Sequence, residues 1–245
     1  MKAIIISAGQ GSRLLPLTLD MPKCLVHVNG RAILDHQIVA LRAAGIAEIV
    51  VVGGYRYEQL AAHVAAASPR GRVSIVRNPF WAAGSSIGSV WAARAHLDGP
   101  FCLLNGDTIF DEGVFDDALA AMRPGVNLVV ERLGDAEPDD MLVAVEGGRV
   151  AAVAKTLDRA AATHRSLGIV LSPDTAGGGY AAMLEAVIGA PGGTDAYHHA
   201  IVDRLARSGQ VIALENSGPH WQEIDTPQDI DRWTRDHVES PRATD

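Results

Sequence analysis

The chain has 245 residues, of which 48% are hydrophobic and 20% charged, and a formal net charge of −8. That is enough for one sizeable α/β domain or two small ones, and the acidic balance argues against a general nucleic-acid binder while leaving room for a local basic pocket. Two cysteines, Cys24 and Cys102, show no metal-ligand spacing and no disulfide framework, no apolar run reaches membrane-spanning length, and the start lacks a secretion signal, so the expectation is a soluble protein of a reducing compartment, the cytoplasm.

Ala3-Ile4-Ile5-Ile6 opens the chain as a non-alternating apolar run, the pattern of a strand buried on both faces of a parallel sheet. The loop Ser7-Ala8-Gly9-Gln10-Gly11-Ser12-Arg13 follows, and Pro22-Lys23 comes ten residues later. Glycine lets backbone N–H groups approach a phosphate chain, and Arg13 and Lys23 add positive charge, so the working expectation is a nucleoside triphosphate site. It is not a Walker P-loop, because no Gly-Lys-Ser/Thr follows. It is not a Rossmann fingerprint, because Leu14 stands where the third glycine belongs and Pro16 and Pro22 interrupt a helix. On glycines alone a plain turn is the simpler reading.

Further along, Ile33 to Ala44 forms one apolar helical face stopped by Gly45, and Ile49–Val52 is a second buried strand. A helix around Glu58–Ala67, a strand around Val73–Val76, a helix over Ile87–His96 and a central strand Phe101–Leu104 complete a βαβ series, which implies a parallel sheet. The second half changes character. Leu128–Glu131, Leu142–Glu146, Val150–Lys155 and Leu167–Leu171 read as strands, with a tight hairpin turn at Glu146-Gly147-Gly148-Arg149. A helix over His198–Arg207, a strand Val211–Glu215 and a helix opened by Thr226-Pro227 with Asp229 in its first turn follow. The tail from Glu239 reads as polar and frayed. The fold expected is three-layer α/β/α around a mixed, mainly parallel sheet, Rossmann-like, with a small antiparallel addition in the second half. It is taken as a single domain with a nucleotide-binding half of about 1–125 and an acceptor-binding half of about 126–238.

Asp107 ends the central strand in Leu-Leu-Asn-Gly-Asp, on the sheet edge where α/β proteins bind ligands, and a carboxylate there beside a triphosphate suits Mg²⁺. The alternative, a turn cap, is better filled by Asp111. Glu223 and Asp225 fall on one strand face in Trp221-Gln222-Glu223-Ile224-Asp225. Such a pair repels unless a cation or a donor sits between its members, though an exposed pair needs neither. Lys155 ends an apolar strand, either as a snorkelling edge residue or as an anchor for an acceptor phosphate. Ser85, Ser86 and Ser89 suit base or ribose contacts and equally suit an N-cap with small packing residues. His198 and His199 are adjacent and make a poor chelate on a helix. No Gly-x-Ser-x-Gly hydrolase elbow is present, and Asp107-Thr108-Ile109 is not the Asp-x-Asp of a metal-dependent glycosyltransferase.

The run Ala8-Gly9-x-Gly11-x-Arg13-Leu14-x-Pro16-Leu17-Thr18 with Pro22-Lys23 resembles the N-terminal signature of nucleotidyltransferases with a GT-A-like fold. Val52-Gly53-Gly54-Tyr55, Asp140-Met141-Leu142-Val143 with Val153-Ala154-Lys155, and Trp221-x-Glu223-Ile224-Asp225-Thr226-Pro227-x-Asp229 are similar to stretches of the phosphocholine and phosphonate cytidylyltransferases. The resemblance implies a nucleotide site of Ala8, Gly9, Gln10, Gly11, Ser12 and Arg13 with Ser85, Ser86 and Ser89. It implies charge stabilisation by Arg13 and Lys23, Mg²⁺ on Asp107 and Asp225, and an acceptor phosphate held by Lys155; Glu223 and, on charge alone, Arg165 are the other residues expected at the acceptor site. The implied reaction is in-line attack by a phosphate or phosphonate oxygen on the α-phosphorus of a triphosphate, CTP first, releasing pyrophosphate by positioning and charge neutralisation. Sugar-1-phosphate nucleotidyl transfer with UTP, dTTP or GTP is the nearest alternative, and a non-catalytic nucleotide-binding subunit a more distant one. Neither nucleic acid nor membrane is an expected partner, and a homodimer is compatible with this reading. Arg165-Ser166 replaces the family's Gly-Glu, and the added arginine suggests an acceptor with extra negative charge.

Overall fold

The computed structural model describes residues 1–67, 72–134, 139–175, 177–218 and 220–238, so the polar tail expected from Glu239 lies outside the described residues. In chain order the first half holds β1 (Lys2–Ser7), β2 (His27–Val28), β3 (Arg31–Ala32), α1 (Ile33–Ala43), β4 (Glu48–Gly53), α2 (Tyr57–Ala67), β5 (Val73–Arg77), α3 (Ser86–Ala92), β6 (Phe101–Asn105), β7 (Thr108–Phe110) and α4 (Val114–Ala121). The second half holds β8 (Val126–Arg132), β9 (Leu142–Glu146), β10 (Arg149–Ala154), β11 (His164–Ser172), α5 (Tyr180–Ile188), α6 (His199–Ala206), β12 (Val211–Glu215), β13 (Trp221–Glu223) and α7 (Pro227–Val238).

One sheet runs through both halves in the order β5-β4-β1-β6-β11-β8-β12-β10-β9. β5, β4, β1 and β6 are mutually parallel, β11 reverses against β6 and β8, and β10 reverses against β12 and β9. β12 is parallel to β8, so within the described sheet β11 and β10 run against the other strands. Alternate residues of each central strand serve opposite layers. Ala3, Ile5, Ile49 and Val51 pack with Leu34, Ile38 and Leu41 of α1, Leu60 of α2 and Phe115 of α4. Ile4, Ile6, Val50 and Val52 pack with Ile87 of α3, Tyr180 and Leu184 of α5, and Ile201 and Leu205 of α6. Three layers result, because a central parallel strand buries both of its faces.

Local chemistry explains most boundaries. Gly45 adopts φ +81°, and Ile46 N–H reaches back to Leu41 O at 2.9 Å, closing α1. Gly147 and Gly148 both take positive φ, the requirement of the tight hairpin between β9 and β10. At α7, Asp229 Oδ2 accepts from Thr226 N at 2.7 Å and Thr226 Oγ1 at 2.8 Å.

Some expectations need correction. The helix expected over Ile87–His96 ends at Ala92, and a separate 3-10 turn covers Arg94–His96. Asp111 does not cap the next helix: Gly113 is the N-cap of α4, and Asp111 Oδ1 instead takes His237 Nε2 at 2.8 Å. Neither α4 nor α5 is expected from the sequence pattern. The first has only eight residues, and the second starts from Gly177-Gly178-Gly179, which resemble loop punctuation.

A third, small apolar cluster matters most for function. Leu14, Val26, Val28, Ile33, Ile109, Ile224 and Trp233 pack together, most of them from loops and short strands rather than from the main sheet. Arg13 precedes Leu14, Asp225 follows Ile224, Asp107 lies two residues before Ile109, and Lys23 three before Val26. Burying these apolar neighbours in one place fixes where the four charged side chains emerge.

Candidate active site

The site opens at the carboxyl ends of β1 and β6. Gly106 follows β6 and donates its N–H to Ile6 O at 3.1 Å. A Cβ on Gly106 would stand 2.6 Å from Ile6 O and 2.8 Å from Ser7 Cα, so only glycine lets the two strand ends close together and carry Asp107 beside the loop 8–13. Ile224 N–H donates to Asp107 O at 2.8 Å, which joins the segment after β13 to the same place. Asp229 Oδ2 also accepts Asp225 N–H at 3.0 Å and holds the second carboxylate in position.

Lys23 sits between these carboxylates. Its Nζ donates to Asp107 Oδ2 at 2.9 Å and to Asp225 Oδ1. Arg13 donates to Asp225 Oδ2 at 2.8 Å and to Asp139 Oδ2. Lys155 Nζ donates to Asp139 Oδ1 at 3.0 Å and lies 5.0 Å from the centre of the Tyr197 ring. Three cations and three carboxylates therefore form one chain of ion pairs across the mouth of the site. Burial disfavours charging Lys23, but Asp107 and Asp225 outweigh it and leave its pKa raised. Burial works against ionised Asp107 too, and the Lys23 ammonium overrides that and holds its carboxyl below the usual range. Glu223 has no ion-pair partner among the described residues: burial first, then the charges of Asp107 and Asp225, push its carboxyl up to about 8.

A cavity of about 320 Å³ lies over this cluster. Ala8, Gly9, Arg13, Ser85, Ser86, Ser89, Asp107, Lys155, Glu223 and Asp225 line it. Gln10, Gly11 and Ser12 belong to the same loop but do not line the cavity. Gly11 instead makes room for a neighbour. It takes φ +72°, and a Cβ there would meet Lys23 Cβ, Cγ and Cδ at 2.7–2.9 Å. The lysine side chain reaches its carboxylates by lying across that glycine. Ser85 is the N-cap residue of α3 without a side-chain capping bond, and Ser89 Oγ accepts from Asn78 Nδ2 at 3.2 Å.

Arg165 lies outside this cavity and lines an adjoining one of about 300 Å³ that shares Arg13, Asp139, Met141, Glu223 and Asp225 with it. Its guanidinium donates to Glu131 Oε2 at 2.7 and 3.0 Å, pairs with Asp140 at 3.5 Å and lies 4.8 Å from the Trp221 ring centre. The positive charge noted in the sequence is thus matched by two carboxylates.

Several lining residues carry no site signal in the sequence: Trp81, Asn105, Asp139, Met141, Tyr197, His198 and His199. Asp139 stands one residue before the Asp140-Met141 stretch that resembles the cytidylyltransferases. As a sequence pair, His198 and His199 invite comparison only with metal ligands. They are nearly fully buried, with ring centroids 4.1 Å apart, at the start of α6.

An ion-pair cluster and a cavity lie at the carboxyl edge of an α/β/α sheet, where such folds bind their ligands. Residues 3–150 match the family of MobA-like NTP transferase domains, and the chain belongs to that family. A CTP:phosphoglutamine cytidylyltransferase from Campylobacter jejuni is 60% identical over 55 residues, 22% of each chain. A bifunctional IPC transferase and DIPP synthase from Rubrobacter xylanophilus is 33% identical over 232 residues, 93% of this chain and 50% of that protein. The chain therefore spans half or less of the length of these curated relatives. The fold matches that of a CTP:phosphocholine cytidylyltransferase from Streptococcus pneumoniae with a TM-score of 0.80, 24% identity, and coverage of 96% of this chain and 98% of that one. Among the described residues no helix is long and apolar enough to cross a membrane.

Proposed function

We propose that this nucleotidyltransferase moves a cytidylyl group from CTP to a phosphate or phosphonate oxygen of a small molecule and releases pyrophosphate. The observation that carries the reading is the convergence of Arg13, Asp107 and Asp225 from three separate segments onto one cavity, with Lys23, from a fourth, paired to both carboxylates behind the lining. The choice of CTP rests on the relatives: the Campylobacter protein and the pneumococcal structure are both named as CTP-using cytidylyltransferases. The choice of a phosphorylated acceptor rests on the same names and on Lys155 at the cavity wall.

The residues suit Mg²⁺. Asp107 Oδ1 is buried with no hydrogen-bond partner among the described residues, an orphan that a cation would satisfy. Among the described residues no three of His, Cys, Asp and Glu converge as a self-sufficient metal cage, but Mg²⁺ characteristically takes one or two carboxylates and completes its shell with phosphate oxygens and water. Asp107 and Asp225 would hold it, and once bound it would neutralise charge on the triphosphate.

This chain's own residues do the rest by positioning. Ala8 and Gly9, at the end of β1, leave the cavity floor open to the nucleotide. Arg13 exchanges its carboxylate partners for the pyrophosphate oxygens. Lys23 stays between Asp107 and Asp225 and places a fixed positive charge beside the reacting phosphorus. Lys155 leaves Asp139 for the acceptor's phosphate. The acceptor oxygen is already anionic at neutral pH, so no general base is needed.

The test is a screen of pyrophosphate release with CTP, UTP, dTTP and GTP against phosphocholine, phosphoglutamine, 2-aminoethylphosphonate and glucose 1-phosphate. Release with CTP and a phosphate or phosphonate acceptor is the expected result. Release confined to glucose 1-phosphate with another triphosphate would replace the cytidylyl reading with sugar-nucleotide synthesis. Triphosphate binding without turnover on any acceptor would leave a binding subunit.

A further inference from the structure

The neutral wall of the cavity contains a polar atom with no partner. His198 is 1% exposed and lines the cavity, and its Nε2 is buried with no hydrogen-bond partner among the described residues. A buried ring nitrogen left without a partner is destabilising, so its persistence calls for a reason.

Ser86 engages the other ring nitrogen. Ser86 Oγ accepts the backbone N–H of His198 at 3.0 Å and lies 3.2 Å from His198 Nδ1. The hydroxyl has one proton and two lone pairs, so it can accept that N–H and donate to Nδ1 at once. In that arrangement Nδ1 is the acceptor and the ring proton resides on Nε2. The neighbouring ring is held differently: His199 Nε2 is engaged by Ser166 Oγ at 3.0 Å, and Ser166 Oγ accepts Gly168 N–H at 3.0 Å. The His199 ring packs against that of His198 at an interplanar angle of 41°, and His198 Nε2 is the ring nitrogen of the pair that is both buried and without a partner among the described residues. Burial keeps His198 neutral, its pKa brought down to about 4 against the opposing pull of Asp107. Asp107, whose Oδ1 is the other buried orphan, lines the same cavity.

We propose that His198 contacts substrate directly, its Nε2–H donating a hydrogen bond to a non-bridging phosphoryl oxygen of the substrate bound in this cavity. The proposal rests on the nucleotidyl-transfer reading above. A neutral donor fits this position. The cations and carboxylates of the opposite wall already match one for one, and another charge would need a further counter-ion, whereas an N–H dipole aimed at a phosphoryl oxygen strengthens as charge builds there.

The test compares His198→Phe, His198→Gln and Ser86→Ala with the unaltered protein, measuring kcat and KM for CTP and for the best acceptor of the screen, with thermal midpoints alongside. His198→Phe is expected to lower kcat by roughly 10²-fold, the usual effect of removing one preorganised donor. His198→Gln, whose amide N–H lies near the Nε2 position, is expected to recover most of that loss. Ser86→Ala, which removes the hydroxyl facing Nδ1, is expected to fall between. Histidine-selective ¹⁵N NMR supplies the second arm: CTP should shift the Nε2–H signal that His198→Phe removes. Wild-type kcat in His198→Phe, or an Nε2–H signal unmoved by saturating CTP, overturns the proposal and leaves the nucleotidyl-transfer reading standing. An unaltered protein that turns over no acceptor but whose His198 signal shifts with CTP overturns the transfer reading instead. If His198→Phe and His198→Gln lose activity alike and only in step with thermal stability, the role is structural and the proposal fails.

Discussion

The two walls of the cavity are built on different principles. On one, Arg13, Lys23, Lys155 and three aspartates form a chain of ion pairs that leaves no net charge at the mouth of the site. On the other, Ser85, Ser86, Ser89, His198 and His199 are small or neutral and are held by hydrogen bonds at the starts of α3 and α6. The ionic wall is an exchangeable one. Each cation already has a carboxylate, so an incoming phosphate replaces one anion by another instead of stripping a solvated charge. The neutral wall is preorganised and offers shape and fixed donors. The charged and the neutral parts of the lining thus come from different segments and are held by different interactions.

The largest effect should come from removing the carboxylates shared by the ionic wall. Asp107→Ala and Asp225→Ala are each expected to lower turnover by at least roughly 10²-fold, measured as pyrophosphate release. Lys23 loses a partner in either variant, and the proposed cation site loses a ligand. Near-normal release in both would remove the metal assignment and with it the division of labour between the walls.

The same contrast explains what is legible in the amino-acid sequence. Charged residues at strand ends announce themselves: Asp107 follows an apolar run, Asp225 precedes a well-marked helix start, and Arg13 and Lys23 flank glycine and proline. The parallel strands β1, β4, β5 and β6 are equally plain, since each is a short apolar run between turn residues. The neutral wall sends no such signal. Serines at Ser85-Ser86 look the same whether they cap a helix or face a ligand, and adjacent histidines are informative only once α6 has packed them against Ser86 and Ser166. Asp139 acquires its meaning from Arg13, 126 residues away, and no local pattern encodes that contact.

Gly11 provides a finer test of the ionic wall, because it changes no charge. Gly11→Ala places a methyl group against the Lys23 side chain and imposes φ +72° on an L-residue, a conformational cost of about 1–2 kcal/mol. Turnover is expected to fall about tenfold with triphosphate affinity also reduced, as Lys23 is displaced from Asp107 and Asp225. An active Gly11→Ala variant with unchanged affinity would show that the lysine tolerates another path. Lys155 tests whether the wall has separate nucleotide and acceptor ends. Lys155→Ala should raise the acceptor KM about tenfold while the KM for triphosphate changes less than about threefold, the signature of lost uniform binding at one substrate only. Equal changes in both KM values would mean that the Lys155–Asp139–Arg13 chain acts as one unit.

Arg165 should show the smallest catalytic effect, and it separates charge that is present from charge that is available. By sequence it stands out as an added cation near the acceptor end. In the structure Glu131 and Asp140 neutralise it, Trp221 stacks beneath it, and it faces the adjoining cavity. Arg165→Ala removes two charge-assisted hydrogen bonds to Glu131 and a ring contact, which should cost about 1–2 kcal/mol in urea unfolding. The acceptor KM should stay within about threefold of the unaltered protein. The opposite pattern, a tenfold rise in KM for an anionic acceptor with stability unchanged, would mean that Arg165 releases Glu131 to reach the acceptor. The adjoining cavity would then be an extension of the acceptor site, and the ionic wall would continue through Arg165 instead of ending at Lys155.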